Sequence, residues 1–389
     1  MAASILTAMA LAAAGLRSGL PKPNPPHVPA RPALRPDPPA RLSAHTSLIG
    51  RLSVAQLAGQ RIVYAYAGLT PPRSLLARIR EGEAAGVIFF GPNISSLAQL
   101  RSIIREFQAA NASSPVHEPL LMLTDQEGGL VRRLQGAPLL SQRQIGESPN
   151  PVASAAQAGA DAGAALAGVG IDVNLAPVLD VYRRPGDFID EFQRSYGMDP
   201  RMVARLGGAF ISAQQSAGVA ATAKHFPGLG AAEAGQDTDE RPVTLDLSLH
   251  QLRTVDEAPY RTAIAAGVKL VMVSWATYPA LDPSLPAGLS ARVIQGELRG
   301  RLGFRGVTIT DGIGAGALRG FGTPAARGVL AANAGADLLL CAAPDVDEDS
   351  PAEGISVLHG LAAAIAAGQV NMDSAEGAVQ RVLALRRGG

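Results

Sequence analysis

Cysteine is almost absent from this chain of 389 residues. The one cysteine, Cys341, leaves no partner for an internal disulfide and excludes a metal site built from several cysteines. It does not assign the chain to a compartment, because exported proteins can lack disulfides.

The chain also lacks an excess of charge of either sign. It has 34 Lys and Arg residues against 33 Asp and Glu residues, interspersed along the sequence, for a formal net charge of +1. A nucleic-acid partner is therefore not expected, since it requires a concentrated basic face. A composition that is 47% hydrophobic and 17% charged allows a large core and argues against global disorder.

The apolar run at the N-terminus, residues 5–15, is too short to span a bilayer, so stable membrane insertion is not expected. It has the character of a signal-peptide apolar region, although no Lys or Arg precedes it. We interpret residues 1–20 as a candidate signal segment and expect an extracytoplasmic or secreted protein, with a cytoplasmic protein as the alternative. Nine prolines between residues 21 and 39 predict a disordered, polyproline-like tether over residues 21–48.

Eight short apolar runs alternate with Ala- and Leu-rich helical segments from about residue 50 onward. Runs that are almost continuously apolar are typical of parallel strands buried on both faces. The runs are Arg61–Ala67, Gly86–Phe90, Leu120–Thr124, Ile171–Leu175, Ala220–Lys224, Lys269–Ser274, Gly306–Thr310 and Ala336–Cys341. The pattern predicts an α/β fold, a single (β/α)8 TIM-type barrel over residues 49–389, with a doubly wound open sheet as the alternative.

Polar side chains follow most of these runs, at the point where each predicted strand ends. Barrel active sites form at the carboxyl ends of the strands, so these side chains should converge on one mouth. Asp311 is the clearest candidate, because the run before it brings it to a strand tip and Gly312 leaves its surroundings open. Lys224 and His225 end another run, just before Pro227.

Carboxylates around a barrel mouth suit acid/base or nucleophilic carboxylate chemistry. Glycoside hydrolysis uses two such groups, one to attack or to activate water and one to protonate the leaving oxygen. Of the six histidines only His225 lies at a strand end, so we expect no three-histidine zinc centre, and we predict no metal or cofactor. A Schiff-base aldolase that uses Lys224 is an alternative.

Separate sequence blocks between about Leu52 and Leu385 together resemble one known family. The blocks are residues 86–94, 124–133, 174–181, 194–197, 199–200, 224–228 and 310–311. In this order they resemble glycoside hydrolase family 3, in its single-domain bacterial β-N-acetylglucosaminidase (β-hexosaminidase) type. The resemblance implies a retaining exo-enzyme that removes terminal β-linked N-acetylhexosamine from a small carbohydrate, such as a peptidoglycan fragment. A β-glucosidase or a phosphorolytic variant is the alternative, and the oligomeric state stays open.

The same resemblance implies roles for particular residues. It makes Asp311 the nucleophile that forms a glycosyl-enzyme intermediate, and it makes Asp180 a supporting residue. Gln126 and Glu127 are expected to brace their loop. The residues that it implies for sugar binding are Asp125, Arg133, Arg194, Lys224 and His225.

The loop after Gly230 departs from the family pattern. Relatives commonly have a His-Gly-Asp-Thr block and then Asp-Ser-His, whose Asp–His pair is the acid/base. Here the segment from Gly235 to Asp237 stands at the second block, and the loop holds no histidine. A carboxyl group can act as the acid if its pKa is raised, so Asp237 is the predicted acid/base. Its rivals are Asp239, Glu233 and Glu240. Without a working acid, the chain would be a catalytically impaired sugar-binding barrel.

Overall fold

The computed structural model describes residues 48–343 and 345–388. Within this part the chain forms eight short parallel strands: β1 (Ile62–Tyr64), β2 (Gly86–Phe89), β3 (Leu121–Thr124), β4 (Val173–Asn174), β5 (Ala220–Phe226), β6 (Leu270–Val273), β7 (Val307–Thr310) and β8 (Leu339–Cys341). All eight predicted runs are confirmed as strands, with bounds that differ by a few residues. The candidate signal segment and the tether, up to residue 47, lie outside the described residues.

The strands form a barrel. They pair in the order β8-β1-β2-β3-β4-β5-β6-β7, each with its neighbour in parallel. A further parallel bridge between Ile309 of β7 and Leu338, just before β8, joins the two ends of this order. The (β/α)8 prediction is confirmed, and the alternative of an open sheet is wrong.

Alternate side chains of the strands fill the barrel interior. Val307 and Ile309 of β7 pack in one buried apolar cluster with Leu270 and Met272 of β6 and with side chains of the other strands. Leu385, near the C-terminus, belongs to the same cluster and lies beside the first residues of β3 and β4. The interior is therefore packed at the end where the strands begin, and the opposite end is left for a site.

Helices follow the strands and pack outside the barrel. The first begins with a capping box, in which Ser53 accepts from the backbone N–H of Gln56 and the Gln56 side chain accepts from that of Ser53. The described α-helices are α1 (Val54–Gly59), α2 (Arg73–Arg80), α3 (Leu97–Ala112), α4 (Gln142–Gly146), α5 (Pro151–Ala167), α6 (Phe188–Glu191), α7 (Pro200–Ser216), α8 (Leu249–Gln251), α9 (Ala258–Ala265), α10 (Pro324–Ala334), α11 (Pro351–Ala366) and α12 (Met372–Arg386).

Several connections adopt other helical forms. Short 3-10 helices span Gly91–Asn93, Ala287–Leu289 and Gly316–Phe321, and π-helices span Leu252–Asp256 and Arg292–Arg301. Within residues 48–343 and 345–388, no helix combines the length and apolar character needed to cross a membrane.

Candidate active site

A cavity of about 210 Å³ opens at the carboxyl ends of the strands. Its base is apolar and is formed by Ile88, Leu175, Met272 and Leu340. The ionisable side chains that line it are Asp125, Arg133, Arg194, Lys224, His225, Asp239 and Asp311. Six of the predicted site residues thus share one cavity, and the seventh, Asp237, does not line it.

A hairpin after β3 brings Arg133 next to Asp125. Gln126–Gly128 pairs antiparallel with Val131–Arg132, and the backbone N–H of Arg133 donates to the carbonyl oxygen of Asp125 at 3.2 Å. The Arg133 guanidinium lies 3.9 Å from the Asp125 carboxylate and 5.8 Å from the centre of the Phe90 ring. Asp125 also accepts from Lys224 Nζ at 2.8 Å. This corner can bind sugar hydroxyl groups through both an acceptor and donors.

Glu127 does not line the cavity but binds two of its cationic side chains. Arg194 donates to it in a bidentate pair, at 3.0 and 2.8 Å, and Lys224 Nζ lies 2.8 Å from the same carboxylate. Burial alone would raise the pKa of Glu127, but Arg194 and Lys224 outweigh burial and lower it to about 2. Burial would lower the pKa of Lys224, but Asp125 and Glu127 raise it. Both groups therefore stay charged and fixed at neutral pH.

His225 is oriented by the buried Asp180. The Nδ1–H of His225 donates to Asp180 Oδ2 at 2.7 Å. Asp180 Oδ1 accepts from the backbone N–H of Leu229 at 2.6 Å. The other ring nitrogen, Nε2, lies 3.5 Å from the Arg194 guanidinium, at the cavity. Asp180 thus sets the direction of His225 without lining the cavity.

Asp311 follows β7 directly and is half-buried at the cavity wall. Its Oδ1 accepts from the backbone N–H of Gly312 at 2.9 Å, and no cation of the described residues lies within 4.0 Å of its carboxylate. The buried indole of Trp275 donates to the carbonyl oxygen of Gly312 at 2.8 Å and fixes this turn. The sequence analysis did not predict this role of Trp275, although Trp275 is the only tryptophan and directly follows a predicted strand.

Asp239 reaches the cavity from the loop that departs from the family pattern. Its side chain is open to the solvent of the cavity, and its backbone is held by the 3-10 helix after Asp311. Gly316 N–H donates to the carbonyl oxygen of Asp239 at 2.6 Å, and Ala317 N–H donates to that of Thr238 at 3.0 Å. The loop after β5 is therefore tied to the segment after β7.

The other three acids of this loop take different positions. Asp237 Oδ1 accepts from the backbone N–H of Asp239 at 2.8 Å, which closes a turn. Burial raises the pKa of Asp237, and this hydrogen bond opposes the rise. Glu233 is exposed and lies 2.5 Å from Arg184, and Glu240 is exposed and does not line the cavity.

The donor set of the cavity suits an organic polar ligand. Among the described residues, no three or more His, Cys, Asp or Glu side chains are grouped as a metal site. The fixed cations, Asp125 and the oriented imidazole can hold hydroxyl, amide and carboxylate groups. Two further carboxyl groups, Asp311 and Asp239, have no cationic partner within 4.0 Å among residues 48–343 and 345–388 and are available for chemistry.

Comparison with known proteins gives one family. The model of the glycosyl hydrolase family 3 N-terminal domain matches residues 52–385. An "uncharacterized secreted glycosyl hydrolase" of Arthroderma benhamiae is 47% identical over 89% of this chain and 97% of its own length. A "beta-hexosaminidase" of Nitrosomonas eutropha is 35% identical over 72% of this chain and 80% of its own length.

A solved structure has the same fold. The family 3 β-N-acetylglucosaminidase of Paenibacillus sp. str. FPU-7 superposes with a TM-score of 0.80 at 35% sequence identity. The match covers 87% of this chain and 62% of the Paenibacillus chain.

Proposed function

Because the chain belongs to glycosyl hydrolase family 3, we propose that it is a retaining exo-β-N-acetylglucosaminidase. It removes a terminal β-linked N-acetylhexosamine in two displacements at the anomeric carbon, through an ester with Asp311. The names of the Nitrosomonas and Paenibacillus relatives support the activity on N-acetylhexosamine.

The position of Asp311 in the cavity is the main support for this proposal. It lies at a strand tip, has no cationic partner within 4.0 Å in the described part of the chain, and shares the cavity with a fixed set of cations. A carboxylate that no ion pair holds is the more reactive nucleophile, and its oxygen is free to approach the anomeric carbon. Arg133, Arg194, Lys224 and His225 hold the sugar in place for that attack.

The natural substrate that we propose is a small glycoside with an N-acetylglucosamine terminus, such as a peptidoglycan fragment. We place its hydrolysis outside the cytoplasm, which the word "secreted" in the name of the Arthroderma relative supports. Turnover of a muropeptide and of the β-1,4-linked N-acetylglucosamine disaccharide, compared at equal concentration, tests which glycoside is preferred.

The activity is tested with p-nitrophenyl β-N-acetylglucosaminide and the matching β-glucoside. We expect the wild type to hydrolyse the first and to leave the second largely intact, and we expect Asp311→Ala to lose on the order of 10³-fold or more in kcat. Asp345→Ala is the control, because Asp345 also follows a barrel strand but does not line the cavity.

Three outcomes would contradict the proposal. If the wild type and Asp311→Ala are equally active, Asp311 is not the nucleophile. Binding of N-acetylglucosamine without release of p-nitrophenol identifies a sugar-binding barrel. Formation of a sugar phosphate when phosphate is added identifies a phosphorolytic enzyme.

A further inference from the structure

Of the four acidic residues in the loop 229–240, only Asp239 lines the cavity that contains Asp311. In the family pattern, Asp237 stands where relatives have the histidine of Asp-Ser-His. That residue instead uses its carboxylate to accept the N–H of Asp239. Glu233 pairs with Arg184, away from the cavity lining, and Glu240 is exposed.

We propose that Asp239 is the proton donor and acceptor of the reaction, with Asp237 as the residue that positions it. This inference rests on the proposed function. It assigns the acid/base step to a residue two positions beyond the one expected from the sequence.

The position of Asp239 is set by the backbone. Its carbonyl oxygen and that of Thr238 accept from the N–H groups of Gly316 and Ala317, five and six residues after Asp311. Gly316 has no room for a side chain, because a Cβ there would lie 2.0 Å from the carbonyl oxygen of Glu240 and 2.8 Å from that of Asp239. The loop therefore lies directly against the segment that follows the nucleophile.

Proton transfer follows from this arrangement. In the first step a carboxylate oxygen of Asp311 bonds to the anomeric carbon, the glycosidic C–O bond breaks, and the Asp239 proton goes to the departing oxygen. In the second step Asp239, now a carboxylate, takes a proton from water. The water oxygen bonds to the anomeric carbon, and the ester to Asp311 breaks. The product is the free sugar, and both carboxyl groups return to their starting states.

The charges around Asp239 suit both steps. Asp239 meets the solvent of the cavity on one side and protein on the others, and this partial desolvation, followed by the negative charges of Asp311 and Asp237, raises its pKa to about 7. A proton is therefore available on Asp239 near neutral pH. Formation of the glycosyl ester removes the charge of Asp311, so the pKa of Asp239 falls and the carboxylate can act as base.

The test compares Asp239→Asn with Asp237→Asn on two substrates, after wild-type turnover has been established with the p-nitrophenyl substrate. On the N-acetylglucosamine disaccharide, whose leaving group needs a proton, Asp239→Asn should lose about 10²- to 10⁴-fold in kcat/KM. On 2,4-dinitrophenyl β-N-acetylglucosaminide the first step needs no acid, so kcat/KM should change little.

Azide distinguishes loss of the catalytic base from a purely structural defect. Hydrolysis of the glycosyl enzyme needs a base, but azide attacks without one. Added azide should therefore accelerate Asp239→Asn on the dinitrophenyl substrate and yield the β-glycosyl azide.

Asp237→Asn keeps an Oδ1 acceptor for the N–H of Asp239. It should lose about tenfold or less and show no azide response. Glu233→Gln, in the same loop but outside the cavity lining, is the control and should behave as wild type.

Azide rescue in Asp237→Asn rather than in Asp239→Asn would overturn the assignment. So would equal losses on both substrates without azide product. If Asp239→Asn does not fold, Asp239→Ala serves instead, since both backbone bonds to the 3-10 helix remain. A wild type that is inactive on every substrate contradicts the proposed function itself.

Discussion

At the scale of single residues, the cavity separates fixed charges from reactive ones. Lys224 lies 2.8 Å from both Asp125 and Glu127, and Arg194 is held by Glu127 in a bidentate pair. Asp311 and Asp239 have no such partner in the described chain. In the proposed mechanism these fixed cations bind the sugar, and the two carboxyl groups make the covalent bond and transfer the proton.

Glu127 is the residue on which the fixed charges depend most. Glu127→Gln leaves the buried Lys224 and the partly buried Arg194 without their shared carboxylate, which costs about 3–5 kcal/mol of the free energy of unfolding at neutral pH. The pKa of Glu127 is depressed to about 2 in the folded state, so its contribution is present above its unfolded pKa, about 4.3. This contribution is lost as pH falls from about 4.5 towards 2.

Urea unfolding of wild type and Glu127→Gln at pH 7 and at pH 3 measures this effect. The difference between the two proteins should be large at pH 7 and clearly smaller at pH 3. Glu233→Gln, with its exposed carboxylate, should match the wild type at both pH values. A Glu127→Gln difference that stays constant with pH would show that Glu127 contributes packing rather than charge.

Residue identity at strand tips could be predicted from the sequence, because Asp311, Lys224 and His225 each end an apolar run. The ranking of Asp237 and Asp239 could not. Both are small acids in a loop rich in Ala and Gly, and no apolar period fixes their direction. Only the backbone bonds to Gly316 and Ala317, far along the chain, decide which of them lines the cavity.

At the scale of elements, the site is completed where two loops meet. The loop 229–240 follows β5, and the 3-10 helix Gly316–Phe321 follows β7 and Asp311. Their contact is made by backbone groups and a glycine. The pattern of apolar and polar side chains in the sequence therefore does not predict this contact. The strands, in contrast, can be recognised as apolar runs.

Gly316→Ala tests this contact. A Cβ at residue 316 would lie 2.0 Å from the carbonyl oxygen of Glu240 and would force the loop away, since neither this Cβ nor a backbone oxygen can rotate aside. We expect kcat/KM for the N-acetylglucosamine disaccharide to fall about tenfold or more, and kcat/KM for the dinitrophenyl glycoside to fall much less. The measurement is the ratio of the two values in the variant and in the wild type.

Gly320→Ala is the matched control in the same 3-10 helix, because a Cβ there meets nothing within 4 Å. It should keep the wild-type ratio. Equal losses on both substrates in Gly316→Ala would indicate damage to the nucleophile segment rather than displacement of Asp239.

At the scale of the whole molecule, the closed barrel is what brings distant sequence positions into one cavity. Asp125 and Asp311 are separated by most of the described chain, yet both follow strands whose carboxyl ends face the same mouth. Eight apolar runs were enough to predict this architecture. The bridge between Ile309 and Leu338 that joins its ends was not visible in the sequence, because it lies between residues of ordinary strand type.

In the proposed mechanism the reaction passes through an ester between the sugar and Asp311. A fluorinated N-acetylglucosaminyl fluoride tests it most directly, because the ring fluorine slows both steps while the fluoride leaving group needs little help from an acid. Mass spectrometry of the treated protein should show the mass of one glycosyl group added to the peptide that contains Asp311, and none in Asp311→Ala. Turnover without an adduct, or an adduct on another residue, would exclude an ester with Asp311.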